Sequence, residues 1–228
     1  MDYVTCIVAS VAGYLLGSVP CGYLVARAHG VDIFKVGSGN PGATNVKRVL
    51  GAKAGHTVLV FDLLKGAVAA GWFRLSWLVR PGNLFHAADF SPVDSDSSLW
   101  LGLIGVVAAV LGHSFSIFTR FRGGKGVATA AGGLVVLVPI ACLVGAVVWL
   151  LAFYSTRYVS LGSILAAVAV PAASWILGNP LPLNIVATAL GLFVIFRHRA
   201  NIRRLLKGTE NRFVKKSSTT EEKEKPRA

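Results

Sequence analysis

The sequence predicts an all-α polytopic membrane protein of seven transmembrane helices, with the N-terminus outside and the C-terminus in the cytoplasm. Three observations carry this expectation. Of 228 residues, 54% are hydrophobic and only 14% charged, against about 45–50% and about 25% in soluble domains. The apolar residues gather in runs close to the roughly 20 residues that a bilayer core requires. Lys and Arg concentrate in alternate connections, as they do when cytoplasmic loops are the basic ones.

The first run, 3–26, is preceded by Asp2 instead of a basic region and is too long for the apolar core of a cleaved signal, so a retained helix is expected. Further runs lie at 54–79, 99–118, 127–154, 159–177 and 181–196. The run at 127–154 is long for one helix, short for two full ones, and interrupted by Pro139. Charge parity decides its count. Arg27, Lys35, Lys47, Arg48 and Lys53 occupy one connection, Arg120, Arg122 and Lys125 another, and the segment from Arg197 is also basic. A single crossing at 127–154 leaves three crossings between Lys125 and Arg197 and puts one basic cluster outside. Two shorter or tilted crossings restore agreement, and a re-entrant segment gives the same parity. Asp89, Asp94 and Asp96 mark the outer loop, whereas Arg74 and Arg80 near it count mildly against this arrangement.

The 25 glycines are scattered through the apolar runs, where they let helix backbones approach closely. A charge of +13, from 23 Lys+Arg against 10 Asp+Glu, would suggest nucleic acid in a soluble chain. In a polytopic chain it suggests loops beside anionic membrane lipid, or sites for anionic substrates, so no nucleic acid is expected. Cys6, Cys21 and Cys142 have no CxxC spacing, which indicates neither a metal site nor a disulfide framework. Asp62 and Lys65, at i and i+3 inside the second run, are either functional charges at membrane depth or a pair that satisfies itself. The stretch 211–228 is rich in Lys and Glu and poor in apolar residues, so a disordered charged cytoplasmic tail is expected after a membrane domain spanning 1–210.

Three polar motifs fall on the side read as cytoplasmic. The first, GSGNPGATNVKR from Gly37, reads as a glycine-rich turn feeding a short helix, with Pro41 at its first position, Ser38 or Asn40 as cap and Gly51 as its end. Free N–H groups at a helix start bind phosphate, and Thr44 and Arg48 extend that site along one face. The second, GHSFSIFTRFRGGKGVAT from Gly112, sets Lys125 among Gly123, Gly124 and Gly126 before an apolar helix, where ammonium and backbone N–H groups can surround a phosphate. It is not a P-loop, because GxxxxGK[ST] spacing fails. The third, RHRANIRRLLKGTE from Arg197, places His198 and Asn201 on one helical face among cations. These motifs describe a phosphate-binding cavity at the membrane surface, with one phosphorylated polar substrate and one lipid-like substrate. Only Asp32 and Glu210 supply carboxylates there, which speaks against a carboxylate base or a carboxylate-rich magnesium site.

Taken in order, these motifs resemble those of the acyl-phosphate-dependent glycerol-3-phosphate acyltransferase family, PlsY. The resemblance runs from LGSVP at Leu16, through DLLKG at Asp62, to Glu210. It implies a bacterial inner (cytoplasmic) membrane enzyme with its active site on the cytoplasmic face. That enzyme transfers a fatty acyl group from acyl phosphate to the 1-hydroxyl of sn-glycerol 3-phosphate, giving lysophosphatidate and inorganic phosphate in phospholipid synthesis. Carried over by motif, Ser38, Arg48, Lys125, His198 and Asn201 are the catalytic set, and Gly39, Asn40, Thr44, Asn45, Gly123, Gly124 and Gly126 bind substrate. Lys125 bridges the two phosphates, the glycines of the second motif take the acceptor, and Glu210 is structural. Ser116 stands where Pro is frequent, which implies an altered turn without lost chemistry. No cofactor or metal is expected. A monomer is expected, with a functional link to an enzyme that makes acyl phosphate.

The HxxxxD base of other glycerol-3-phosphate acyltransferases is absent, since Phe118 stands five residues after His113. The resemblance therefore implies substrate assistance, in which a donor phosphate oxygen takes the hydroxyl proton. A His198 general base stays open beside it. A transporter for a phosphorylated solute is disfavoured, because only Asp62 and Lys65 are candidates for its polar path and both can be placed near the cytoplasmic end. A CDP-alcohol phosphatidyltransferase is disfavoured by the lack of its aspartate-rich signature.

Overall fold

A computed structural model describes residues 3–78 and 96–213. Arg80, Asp89, Asp94 and positions 214–228 of the expected tail lie outside the described residues. Ten α-helices make up the described chain: α1 (Tyr3–Ser18), α2 (Cys21–Ala28), α3 (Ala43–Leu50), α4 (Ala52–Leu78), α5 (Asp96–Ser114), α6 (Val127–Leu137), α7 (Pro139–Thr156), α8 (Val159–Ile176), α9 (Leu181–Arg197) and α10 (Arg199–Leu206).

Most helices sit where the apolar runs lie, and the differences have local causes. The run expected as one helix at 3–26 breaks into α1 and α2 at Val19 and Pro20. A residue before proline is steered away from helical torsions, and proline has no N–H to continue the ladder. The run at 127–154 divides at Val138, whose extended φ of −137° precedes Pro139 at the first turn of α7. The run at 99–118 ends as a helix at Ser114 and continues in a 3-10 turn over Ile117–Thr119. Basic α10 joins α9 at a 57° bend.

Among the described residues, four stretches are long and apolar enough to cross a membrane: Tyr3–Ala28, Ser98–Thr119, Pro139–Thr156 and Val159–Ile176. The bent pair α9 and α10 makes a fifth if counted as one span, and Val127–Leu137 is apolar but shorter. The outward side of α7, with Ile140, Leu143, Val147, Leu150 and Leu151, is exposed and apolar, as a helix facing lipid must be.

Helix α5 packs against α1, α4 and α6, while α8 lies between α7 and α9. The core joins Ala70, Leu103, Val106, Val110, Ala130, Leu134, Ala141, Ala173, Leu183, Ala187 and Leu190, drawn from α4 through α9. Close approach of α4 and α6 depends on glycine: a β-carbon at Gly66 would strike the Thr129 carbonyl, and one at Gly132 would strike that of Leu63. This is the small-residue packing that membrane helices use in place of a hydrophobic drive. A second cluster, with Ala26, Ile33, Val46, Ala54 and Val58, seats α2 and α3 against the start of α4.

Candidate active site

The turn before α3 is built from its own polar groups. Asn45 is 2% exposed, accepts the Ser38 N–H at 2.9 Å and donates to the Val36 carbonyl at 3.0 Å. Gly37 and Gly39 hold φ of +59° and +66°, in the region where L side chains are strained. The Asn40 side chain accepts the Gly42 N–H at 2.8 Å. Helix α3 therefore begins at Ala43 with Gly42 as its cap, two residues later than Pro41 suggested, and neither Ser38 nor Asn40 caps it. Gly51 ends it, as the sequence implied. Ser38 is exposed on this turn, and Thr44 and Arg48 follow half-buried along α3.

The other two motifs meet directly. Gly126 holds φ +82° at the start of α6, and the adjacent Lys125 Nζ donates to Asn201 Oδ1 at 2.6 Å. Asn201 Nδ2 donates to Glu210 Oε1 at 2.7 Å. Glu210 also accepts from Ser160 Oγ at 2.9 Å and from Arg204 Nε at 2.7 Å. Arg197 donates to the carbonyls of Gly123 (3.3 Å) and Gly124 (2.8 Å) and lies 5.1 Å from the Phe115 ring centroid. His198 is 2% exposed, and its Nδ1 is 2.8 Å from the Val194 carbonyl, which fixes that nitrogen as the donor. Arg48 joins from α3: it donates to the Asn211 carbonyl at 3.2 Å and stacks 4.9 Å from the Phe213 ring centroid.

The electrostatics tie these pieces into one cluster. Burial lowers the Lys125 pKa to about 8; the Glu210 carboxylate opposes the shift, while the charges of Arg204, Arg48 and Arg197 add to it. Burial likewise lowers the Arg48 pKa, with Glu210 opposing and Arg204 adding. His198 falls to about 4, through burial first and then the Lys125 charge, so it is a neutral, weakly basic ring at pH 7. Burial works against ionised Glu210, yet hydrogen bonds from Asn201, Ser160 and Arg204 lower its pKa. Lys125 thus sits among three arginines, with Glu210 as the carboxylate that opposes their charge. Such a cluster is complementary to anions brought from solution.

The sequence pointed to Lys125, Asn201, His198 and Arg48 as candidates, and the structure brings them together in this cluster. Sequence reasoning gave no role to Arg197, Arg204 or Ser160. The arginines stood in the third motif as generic basic residues, but Ser160 lies 50 positions from its partner Glu210 and carries no sequence signal. The other expected charges form a separate group: Asp62 is 2.8 Å from Lys65 and 3.5 Å from His113 Nδ1. Among the described residues, no group of three or more His, Cys, Asp or Glu side chains gathers as a metal site.

A helical bundle of apolar helices with a cation-rich, carboxylate-poor polar cluster at one end defines an integral membrane enzyme of the kind that handles phosphorylated substrates. Comparison with known proteins makes this specific. The family model described as glycerol-3-phosphate acyltransferase matches residues 7–208, and the chain belongs to that family. A glycerol-3-phosphate acyltransferase of Rippkaea orientalis is 43% identical over 215 residues, covering 94% of each chain. One from Rubrobacter xylanophilus is 41% identical over 201 residues, covering 88% of this chain and 92% of its own. The crystal structure of PlsY (YgiH), an integral membrane glycerol 3-phosphate acyltransferase, in its glycerol 3-phosphate form superposes with a TM-score of 0.80 at 39% identity, over 92% of this chain and 96% of that one. Its lysophosphatidic acid form gives 0.77 over 92% and 95%.

Proposed function

We propose that this glycerol-3-phosphate acyltransferase takes its acyl group from a fatty acyl phosphate and transfers it to the 1-hydroxyl of glycerol 3-phosphate. The products are lysophosphatidate and inorganic phosphate. One observation carries the reading: Lys125, Arg48 and Arg204 share a single carboxylate, Glu210, and Arg197 adds a further positive charge beside Lys125. That excess of positive charge fits two phosphate-bearing substrates held side by side. The glycerol 3-phosphate and lysophosphatidic acid forms of the similar solved structures fit the acceptor and the lipid product.

In this reading the acceptor hydroxyl oxygen forms a bond to the acyl carbonyl carbon, and the bond from that carbon to the donor phosphate oxygen breaks. The hydroxyl proton passes to a phosphate oxygen of the donor. Lys125 lies between the phosphates, Arg48, Thr44 and the Ser38 turn take one of them, and Gly123 and Gly124 border the acceptor. Asn45 and Asn40 act by holding the Ser38–Gly39 turn. His198 and Asn201 orient the acceptor. A positioning role for His198 is favoured over a base because its basicity is lowered to about 4. The protein then works mainly by positioning and charge neutralisation.

We also infer seven crossings, with the site at the cytoplasmic face of a bacterial inner membrane, in a monomer supplied by an acyl-phosphate-producing enzyme. What supports seven is that contacts of the site draw on the C-terminal ends of α5, α7 and α9 and the N-terminal ends of α6 and α8, as alternating antiparallel helices require.

The test is phosphate release by purified protein in detergent or lipid. Palmitoyl phosphate and glycerol 3-phosphate are supplied without divalent metal, with acyl-CoA as the parallel donor. Phosphate release that needs both substrates, with no free CoA thiol appearing in the acyl-CoA arm, is the expected result. Turnover with acyl-CoA alone overturns the donor assignment.

A further inference from the structure

The glycine turn that carries Lys125 is gripped from two sides, and only one grip belongs to the cation cluster. Arg197 takes its carbonyl oxygens. On the opposite side stands His113, in the last turn of α5. Its carbonyl accepts the Gly124 N–H at 3.1 Å, and its ring lies so close that a β-carbon on Gly124 would collide with Nε2. A β-carbon on Gly123 would collide with the His113 carbonyl. The ring is in turn placed from α4, where Asp62 lies 3.5 Å from His113 Nδ1. Asp62 and Lys65 are 4% and 5% exposed and 2.8 Å apart. Lys65 continues to the Val19 carbonyl at 3.1 Å, at the break between α1 and α2. Val19, Asp62, Lys65 and His113 line a narrow cleft together with Pro41, Arg122, Gly123 and Gly124.

We propose that Asp62 and His113 are positioning residues for the reaction: they set the Gly123–Gly124 backbone, and through it the aim of Lys125 and the acceptor site. Neither touches the reacting atoms. The charges on α4 therefore serve the enzyme as a brace, and Gly124 is glycine because the His113 ring fills the space a side chain would take. The inference rests on the acyltransferase reading above.

The experiment measures KM for glycerol 3-phosphate and kcat in His113→Leu and His113→Asn. The Asn amide nitrogen sits where Nδ1 does and keeps the contact to Asp62. His113→Leu is expected to raise KM about tenfold while kcat stays within about threefold, the scale of one lost buried polar contact. His113→Asn is expected to recover most of the loss. An unchanged KM in folded His113→Leu, or no recovery in His113→Asn, overturns the proposal. Should His113→Leu fail to fold, His113→Gln keeps a polar side chain but moves its amide away from the Nδ1 position, and it carries the same expectation of a raised KM. Wild-type silence with acyl phosphate would sink the acyltransferase donor reading instead. Calorimetric titration of glycerol 3-phosphate into wild type and variants then reads the positioning effect without turnover.

Discussion

Two charged clusters lie on either side of the Gly123–Gly124 turn, and they are balanced in opposite ways. On the α4 side, Asp62 answers Lys65 at 2.8 Å, and both are nearly sealed from solvent. On the α9–α10 side, Lys125 stands among Arg48, Arg197 and Arg204 with Glu210 as the opposing carboxylate. A buried charge without a partner costs several kcal/mol, so the first cluster must be neutral within itself to exist. The second is half-open and tolerates a surplus, which adds to the effect of burial in lowering the Lys125 pKa to about 8. The contrast separates charge balanced within the fold from a surplus that, in the proposed function, meets the phosphates of the substrates.

Breaking the surplus side gives the largest expected effect. Lys125→Ala should lower phosphate release about 10³-fold or more, with thermal stability kept, because a cation between two phosphates is lost. Near-normal release by a folded variant would remove Lys125 from the site. On the balanced side, Asp62→Ala should cost about 3–5 kcal/mol of stability by leaving Lys65 buried and unpaired, read as a lower thermal midpoint in detergent. His198→Ala should slow turnover about 10²-fold, while the pH profile keeps its wild-type shape. Loss of an acid limb in that variant would restore the histidine as base.

Glu210→Gln sharpens the comparison further. Glu210 opposes the downward shift of Lys125, so its removal should lower that pKa below about 8. The rate needs protonated Lys125 and falls as pH rises through its pKa, so the alkaline limb of kcat/KM should move to lower pH. A loss of about tenfold at pH 8 is expected. Cys6→Ala, in α1 and away from both clusters, should leave activity within about twofold.

Much of this was legible in the chain. Apolar runs located the helices because spanning segments must satisfy their own backbone hydrogen bonds and leave a strong length signal. Pro139 marked the break at Val138. The break at Val19 was missed because the apolar run continues past Pro20 without a change in composition. Lys125, Asn201 and His198 were identified because glycine and polar residues clustered between apolar runs are unusual there. His113 was quoted in its motif and tested only as a catalytic base, since nothing local shows that Asp62, 51 positions earlier, stands beside it.

The sequence by itself determined the class of protein and its family, because hydropathy and motif spacing are local properties of the chain. Only the tertiary structure decided which charges are paired. Asp62 with Lys65 and Glu210 with Arg204 are near in sequence, but Ser160 with Glu210, Lys125 with Asn201 and His113 with Asp62 meet only through helix packing. Electrostatic energy depends on distance and burial in three dimensions, so charged residues form a sealed, balanced pair on one side of the turn and a half-open, cation-rich cluster on the other.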